Sequence, residues 1–348
     1  MAKEGRSTVY NEITSPELLA QVNEDNLQLE DDFIEYLESI DRAKGTIKQY
    51  RANLHVFWCW NLEYNKNKFF VELTKREIAK FQNHCINVWK WSPKRLRTVK
   101  ATISSLSNYI EAILDDEYED YKPIVRKIES PADETVREKT IFQMEDLQPV
   151  LDILVEREEY MKACILALAM YSGKRKAELT RFKASYFSDD NLICGGALYK
   201  TPEKMVTKGR GQRGKLLDVY VLAKPFKPYL DLWMQEREHL KITTDWLFPK
   251  NVGGKYIDEH IEISTMDSLA NTISNLINRS FYFHALRHLY TTYLLEQNLP
   301  ENIVQQIQGW SSSDMLRIYD DRSTESQFEK YFGADGIKHV EQKGLSDL

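Results

Sequence analysis

The chain reads as a mainly α-helical protein with one small antiparallel β-sheet. Two domains are expected, an N-terminal four-helix domain and a C-terminal mixed α/β domain. Three observations predict this. Apolar residues recur at helical spacing through 27–115. A charged stretch with two prolines, 116–140 (DEYEDYKPIVRKIESPADETVREKT), then interrupts the pattern as an interdomain linker does. Helices resume beyond it, except over 186–222, where strand-like runs alternate with glycine turns. At 348 residues the chain is long enough for about two domains.

The elements follow in order. Residues 1–25 are polar and acidic and are expected to be a mobile segment. The helical domain is placed at 26–115. Phe33, Ile34 and Leu37 form the apolar stripe of a first helix. Gly45-Thr46 is read as the break before a second, with Thr46 as its cap. That helix turns Ile47, Tyr50, Leu54, Phe57 and Trp58 inward. Leu73-Thr74 opens a third, with Ile78, Phe81 and Ile86 apolar. Ser92-Pro93 is a cap followed by proline at the first helical position of a fourth. Trp89 and Trp91 read as packing residues.

The second domain is placed at 141–333, followed by a tail over 334–348. Met144, Leu147, Val150, Leu151 and Leu154 mark its first helix. Ala163–Tyr171 is apolar all round, hence a buried helix, and Ser172-Gly173 ends it. Strands are expected at Leu192–Cys194, Ala197–Tyr199 and Leu216–Leu222, with a basic hairpin over Lys208-Gly209-Arg210-Gly211. Further helices are expected over 225–240, near 265–278, from His284, between Pro300 and Gly309, and from Asp314 to Tyr319. Trp246-Leu247-Phe248 is a core contact leading into a loop that contains Gly253-Gly254.

Composition excludes several classes. With 42% hydrophobic and 29% charged residues the chain is of soluble globular type, and no apolar run approaches a membrane span. The N-terminus lacks a signal-peptide apolar core, so a cytoplasmic protein is expected. Cys59, Cys85, Cys164 and Cys194 are scattered without metal-ligand spacing, which favours reduced, mostly buried thiols and no metal or cofactor.

The net charge of −6 argues at first against DNA, but its distribution does not. Residues 41–100 hold fourteen Lys/Arg against four Asp/Glu, and 174–215 hold eleven against four. Acidic stretches flank both blocks. Two basic surfaces on an acidic body fit DNA contact, although either block alone is also the pattern of a solvated helix face. Lys44, Lys48, Arg51, Lys94, Arg95, Arg97, Lys100 and Arg210 are the candidate DNA contacts.

Chemistry concentrates between 284 and 319. His284, Arg287 and His288 are three and four residues apart and share a helix face. Gly309-Trp310 follows, and Tyr319 stands nine residues after Trp310. An Arg fork, imidazole nitrogens, an indole donor and a phenol suit covalent phosphoryl transfer. Upstream, Arg175 follows a helix-ending glycine, and Glu178 is spaced to orient a cation. On their own, a surface KRK cluster, a solvated turn lysine at 208, a packed His284 and a packed Tyr319 are all open readings.

Together these residues resemble the tyrosine recombinases of the phage-integrase and Xer type, in their simple two-domain form. The likeness rests on Gly173-Lys174-Arg175-Lys176-Ala177-Glu178-Leu179, Lys208 in TKGRG, His284-Ala285-Leu286-Arg287-His288, Gly309-Trp310 and Tyr319. It implies an N-terminal core-binding domain and a C-terminal catalytic domain. It further implies Tyr319 as nucleophile, Arg175 and Arg287 as clamps on the nonbridging oxygens, and His284 as general base. Lys208 would protonate the 5′ oxygen, and Trp310 would donate to phosphate. Glu178 and His288 would support that set from behind. Lys174 stands where relatives usually carry a small apolar residue, and Lys204 or Lys215 could replace Lys208. The partner implied is a double-stranded DNA core site with inverted repeats, bound by a homodimer, with a homotetramer at exchange. The origin implied is bacterial or phage. Two other readings compete. One is a non-catalytic helix-turn-helix regulator built from the helices around Pro300. The other is a topoisomerase or telomere resolvase with the same chemistry.

Overall fold

The computed structural model describes residues 9–132, 140–207 and 214–323, together with 328, 332–333 and 336–337. It is mostly helical and divides into two compact units, the first holding the described residues up to 132 with Gly214, the second those from 140 to 207 and from 215 onward.

The first unit contains α1 (Val9–Ile13), α2 (Pro16–Leu19), α3 (Glu24–Ser39), α4 (Lys44–Tyr64), α5 (Lys75–Asn87) and α6 (Pro93–Ile113). Thr74 caps α5 through a reciprocal box with Glu77, and Ser92 caps α6 ahead of Pro93. The expected break at Gly45-Thr46 falls elsewhere. The chain turns at Asp41, whose φ is 58°, and α4 starts after Ala43, so Gly45 lies inside the helix. Phe57 meets Phe70 and Phe81 edge-on in the core, and Trp89 and Trp91 pack on Phe81. Glu30 is buried there, with its carboxylate accepting from Trp58 Nε1 at 2.7 Å and standing 3.0 Å from His55 Nε2.

Three expectations for this unit change. Of the segment 1–25 expected to be mobile, residues 1–8 lie outside the described residues, and 9–25 are packed: Tyr10 hydrogen-bonds His55 Nδ1 at 2.9 Å, and Val22 is buried. Of the linker expected over 116–140, residues 133–139 lie outside the described residues, and 116–132 are not linker, because Ile124 and Val125 join the helical core and Tyr118, Tyr121 and Ile128 pack on it. Their apolar side chains are hidden among charges in the sequence. Lys100 is the third. It is 5% exposed, and its ammonium donates to Gln82 Oε1, Ile128 O and Ser130 Oγ. A buried, saturated cation is a fastener for this segment, not a DNA contact.

The second unit begins with α7 (Met144–Glu156), α8 (Tyr160–Ser172) and α9 (Lys176–Leu179). Strands β1 (Leu192–Ile193), β2 (Leu198–Lys200), β3 (Met205–Thr207), β4 (Lys215–Leu217) and β5 (Tyr220–Leu222) follow. β1, β2 and β5 form an antiparallel sheet in that order, and β3 and β4 pair separately with Val206 opposite Leu216. The run 216–222 is thus two strands, not one. Next come α10 (Ala223–His239), β6 (Pro249–Val252), β7 (Lys255–His260), α11 (Ile263–Leu276), α12 (Phe283–Glu296), α13 (Glu301–Gln308) and α14 (Asp314–Tyr319). β8 (Phe332–Gly333) and β9 (Gly336–Ile337) form a last antiparallel pair. Gly253-Gly254 is a hairpin turn between β6 and β7 where a loop was expected; both φ angles are positive, as a two-residue turn of that kind requires.

α8 is the axis of this unit. It is buried from Ala163 to Met170 and packs against α7, α10 and α12. Gly173 ends it at φ 61° and ψ 23°. A Cβ there would lie 2.6 Å from Tyr290 Cδ1 and 2.7 Å from Gln308 Nε2. We expect Gly173→Ala to cost about 2–4 kcal/mol, the left-handed penalty plus the clash. Urea unfolding checks this, and a loss below about 1 kcal/mol would contradict it.

Candidate active site

Two helices, α8 and α13, end at glycines in the left-handed conformation, Gly173 and Gly309. Such endings leave the last carbonyls without intrahelical donors. Arg287 from α12 bridges them, with Nη1 donating to Gly173 O and Nη2 to Gln308 O, each at 2.9 Å. A cation between two helix C-termini sits where the backbone dipoles favour it. The residue is 1% exposed. Burial, and then the charge of Arg175, push its pKa down to about 10, so it remains a cation at neutral pH.

Arg175 starts the short helix α9 and is gripped twice by Glu178, its N–H and its Nη1 each donating to that carboxylate at 3.0 Å. Burial pushes the Glu178 carboxyl up, but those hydrogen bonds and the nearby cations outweigh it and hold the group below its usual range. Glu178 is therefore an anionic brace that aims the half-buried Arg175. Lys174, next to it, is 3% exposed and donates to Ile307 O at 2.8 Å.

Tyr319 closes the set from the end of α14. Its hydroxyl lies 3.1 Å from Nε2 of the exposed His284. Its ring stacks on Trp310 with centroids 5.0 Å apart and lies 4.4 Å from the His288 ring. The Arg287 guanidinium sits over both aromatic faces, 5.2 Å from Trp310 and 5.5 Å from Tyr319. Behind Tyr319, Thr292 Oγ1 donates to its carbonyl at 3.4 Å and accepts from Asp321 N at 3.1 Å. The carboxylate of Asp321 lies 3.1 Å from His288 Nδ1. The Trp310 indole N–H is buried and, among the described residues, has no hydrogen-bond acceptor. A buried donor left unpaired costs about 1–3 kcal/mol, which an anionic ligand in the site would relieve.

The structure thus brings Arg287, His284, His288, Trp310 and Tyr319 together, with Arg175 and Glu178 beside Arg287. Lys208 and Arg210 lie outside the described residues; of the alternatives, both exposed, Lys204 precedes β3 at the base of the β3–β4 hairpin and Lys215 pairs with Thr207 at its loop end. Lys44, Lys48 and Lys94 are exposed on the first unit. The other candidate DNA contacts there are partly committed. Arg51 pairs with Asp31 at 2.9 Å, Arg95 donates to Asn53 Oδ1 and lies over Trp91, and Arg97 donates to Pro131 O. Thr292, Gln308 and Asp321 are site residues outside the motifs, and Lys174 lies within one but was given no role there. For Lys174 a signal existed, since it follows directly the glycine that ends an apolar helix. Among the described residues, no three His, Cys, Asp or Glu side chains gather as a metal would need, and no helix is long and apolar enough to cross a membrane.

Comparison with known proteins identifies the family. Residues 140–326 match the phage integrase family, and 29–120 match the phage integrase N-terminal SAM-like domain. The SPbeta prophage-derived recombinase-like protein YomM of Bacillus subtilis (strain 168) is 28% identical over 280 residues, which is 79% of this chain and 80% of that protein. Tyrosine recombinase XerD of Staphylococcus epidermidis is 24% identical over 306 residues, 86% of this chain and 96% of that one. Among solved structures, XerH site-specific recombinase bound to difH substrate superposes with a TM-score of 0.59 at 20% identity, covering 81% of this chain and 78% of that one. A lambda integrase (75–356) dimer bound to a COC′ core site gives a TM-score of 0.59 at 16% identity, covering 85% and 96%. With a matched family domain over more than half its length, and the Arg, His, Trp and Tyr side chains of that domain gathered at one place, the chain belongs to the phage integrase family.

Proposed function

We propose that the protein is a site-specific DNA recombinase that cuts and rejoins strands through a 3′-phosphotyrosyl intermediate. The observation that carries the reading is the Tyr319 hydroxyl, 3.1 Å from an imidazole nitrogen and beside the buried Arg287 cation. A phenol ionises near pH 10 and needs a base or cations to act at neutral pH. His284 accepts the phenol proton as Tyr319 Oη attacks phosphorus, and the bond to the 5′ oxygen breaks. Lys208 is the proposed donor to that oxygen. Arg175, Arg287 and the Trp310 N–H hold the charge that builds on the nonbridging oxygens. The tyrosyl ester retains the energy of the broken bond, so a 5′ hydroxyl from a second duplex reverses the step without ATP. Microscopic reversibility then makes His284 the acid.

The proposed substrate is a double-stranded core site with inverted repeats. One protomer sits on each half, so a dimer covers a site and a tetramer joins two sites at exchange. The segment after Tyr319 is proposed to pack on a neighbouring protomer. Related structures were solved as a dimer on a core site and a tetramer on a Holliday junction. Lys44, Lys48 and Lys94 supply exposed charge for the phosphate backbone, and action in the cytoplasm of a bacterium or a phage host follows. The test is a nicked core-site duplex incubated with the protein, followed by digestion and mass spectrometry. A nucleotide-bearing peptide that contains Tyr319 is expected. A DNA-bound protein that never yields that peptide refutes the reading.

Arg175→Ala is expected to lower adduct formation by roughly 10²–10³-fold, the worth of one transition-state donor. Binding at low salt should be retained, because many phosphate contacts share it. Equal loss of both in a gel-shift and an adduct assay would instead make Arg175 a docking residue. The regulator reading is weakened by α13 itself: ENIVQQIQ carries no Lys or Arg to meet a phosphate. Relaxation or hairpin formation, in place of exchange, is decided by gel analysis of the products.

A further inference from the structure

Lys174 is a buried cation that the chemistry above does not use. Its ammonium donates to Ile307 O, while Arg287 from another helix takes the next carbonyl, Gln308 O. These are the last two carbonyls of α13. Immediately after them Gly309 turns at φ 71° and delivers Trp310, which stacks on Tyr319. Two cations on separate elements therefore fix the helix end from which the indole and phenol are placed.

We propose that Lys174 is a positioning residue for strand cleavage, whose ammonium holds the end of α13 so that Trp310 and Tyr319 meet the phosphate in register. This rests on the recombinase reading given above. The hold is strongest when the side chain is charged, since charge-assisted hydrogen bonds are about twice as strong as neutral ones. The charged groups around it set its titration. Arg175 and Glu178 come from its own segment and Arg287 from α12; of α13 only Glu301 is ionisable, at the opposite end of that helix. Lys176 is turned to Asp267 on α11. Burial, then the repulsion of Arg287, partly offset by the pull of Glu178, and last the repulsion of Arg175, lowers the Lys174 pKa from 10.5 to about 7.

The sign follows. Below pH 7 the ammonium is present in free folded and unfolded protein alike. Between 7 and 10.5 the unfolded chain holds more protons, so Lys174 makes stability rise with pH there.

The experiment compares wild type, Lys174→Met and Lys174→Arg in single-turnover adduct formation from pH 6 to 9. Wild type should exceed Lys174→Met roughly tenfold at pH 6, and the ratio should shrink as pH rises. Lys174→Arg, which stays charged, should keep its advantage over Lys174→Met at pH 9. A ratio that is unity, or constant with pH, overturns the proposal, because a packing role has no pH dependence. In free protein, the melting temperature of wild type relative to Lys174→Met should rise between pH 7 and 9, and parallel curves likewise overturn it. A wild type that forms no adduct at any pH refutes the recombinase reading and with it the positioning role, whereas a wild-type adduct with a flat ratio refutes the role of Lys174 alone.

Discussion

Tyr319→Phe is expected to form no covalent DNA adduct, a fall of at least about 10⁴-fold, while binding the core site as wild type does. The substitution removes one oxygen and leaves the ring. Stacking on Trp310 at 5.0 Å and packing against His288 at 4.4 Å both survive in phenylalanine. What is lost is the hydroxyl's hydrogen bond to His284, an exposed partner, at 3.1 Å, together with its contact to the Arg287 guanidinium. Such a bond is worth about 0.5–1.5 kcal/mol, so the melting temperature should move by only a few degrees. Filter binding, thermal melting and denaturing gels measure the three quantities. An adduct that persists in the variant moves the nucleophile elsewhere, for example to the neighbouring Tyr293 or to a tyrosine outside the described residues. Loss of binding together with the adduct would mean that Tyr319 docks DNA instead of attacking it.

The helical domain was legible because its signals are local. Leu73-Thr74, and Ser92 with Pro93, mark helix starts within a few residues of sequence. Helix α8 was legible because it is apolar on every face, and Gly173 because a helix must end somewhere. What failed was long-range. Lys100 looks like its neighbours in KRLRTVK until residues 128–130 fold back over it. Ile124, Val125 and Ile128 carry too little apolar periodicity to stand out among the charges around them. The strands β6 and β7 are mostly polar and exposed, so no alternation betrays them. For the active site, motif spacing picked out side chains that the fold then gathered, because Arg287, His284 and Tyr319 are read by type and interval. Spacing says nothing of what a side chain leans on. That Gly173 O and Gln308 O, 135 positions apart in the chain, receive one guanidinium is a property of the packed helices alone.

That double contact gives Arg287 two tasks, and Arg287→Ala should fail at both. As a donor to the scissile phosphate, it should cost roughly 10²–10³-fold in adduct formation when removed. As the cation between two helix ends, its loss strands two buried carbonyls and opens a cavity beside Trp310 and Tyr319. Each buried acceptor left unpaired costs about 1–3 kcal/mol. The two losses compound, because the carbonyl of Gln308 is also the platform from which Trp310 is launched. Arg287→Lys should recover part of the stability and little of the rate: an ammonium is one compact charge and lacks the planar fork that reaches both carbonyls and an anion together. Urea midpoints and single-turnover rates separate the tasks. A variant with wild-type stability and a lost rate would make Arg287 a phosphate ligand only. One with wild-type rate and lost stability would make it a brace, and the clamp on the phosphate would then fall to Arg175.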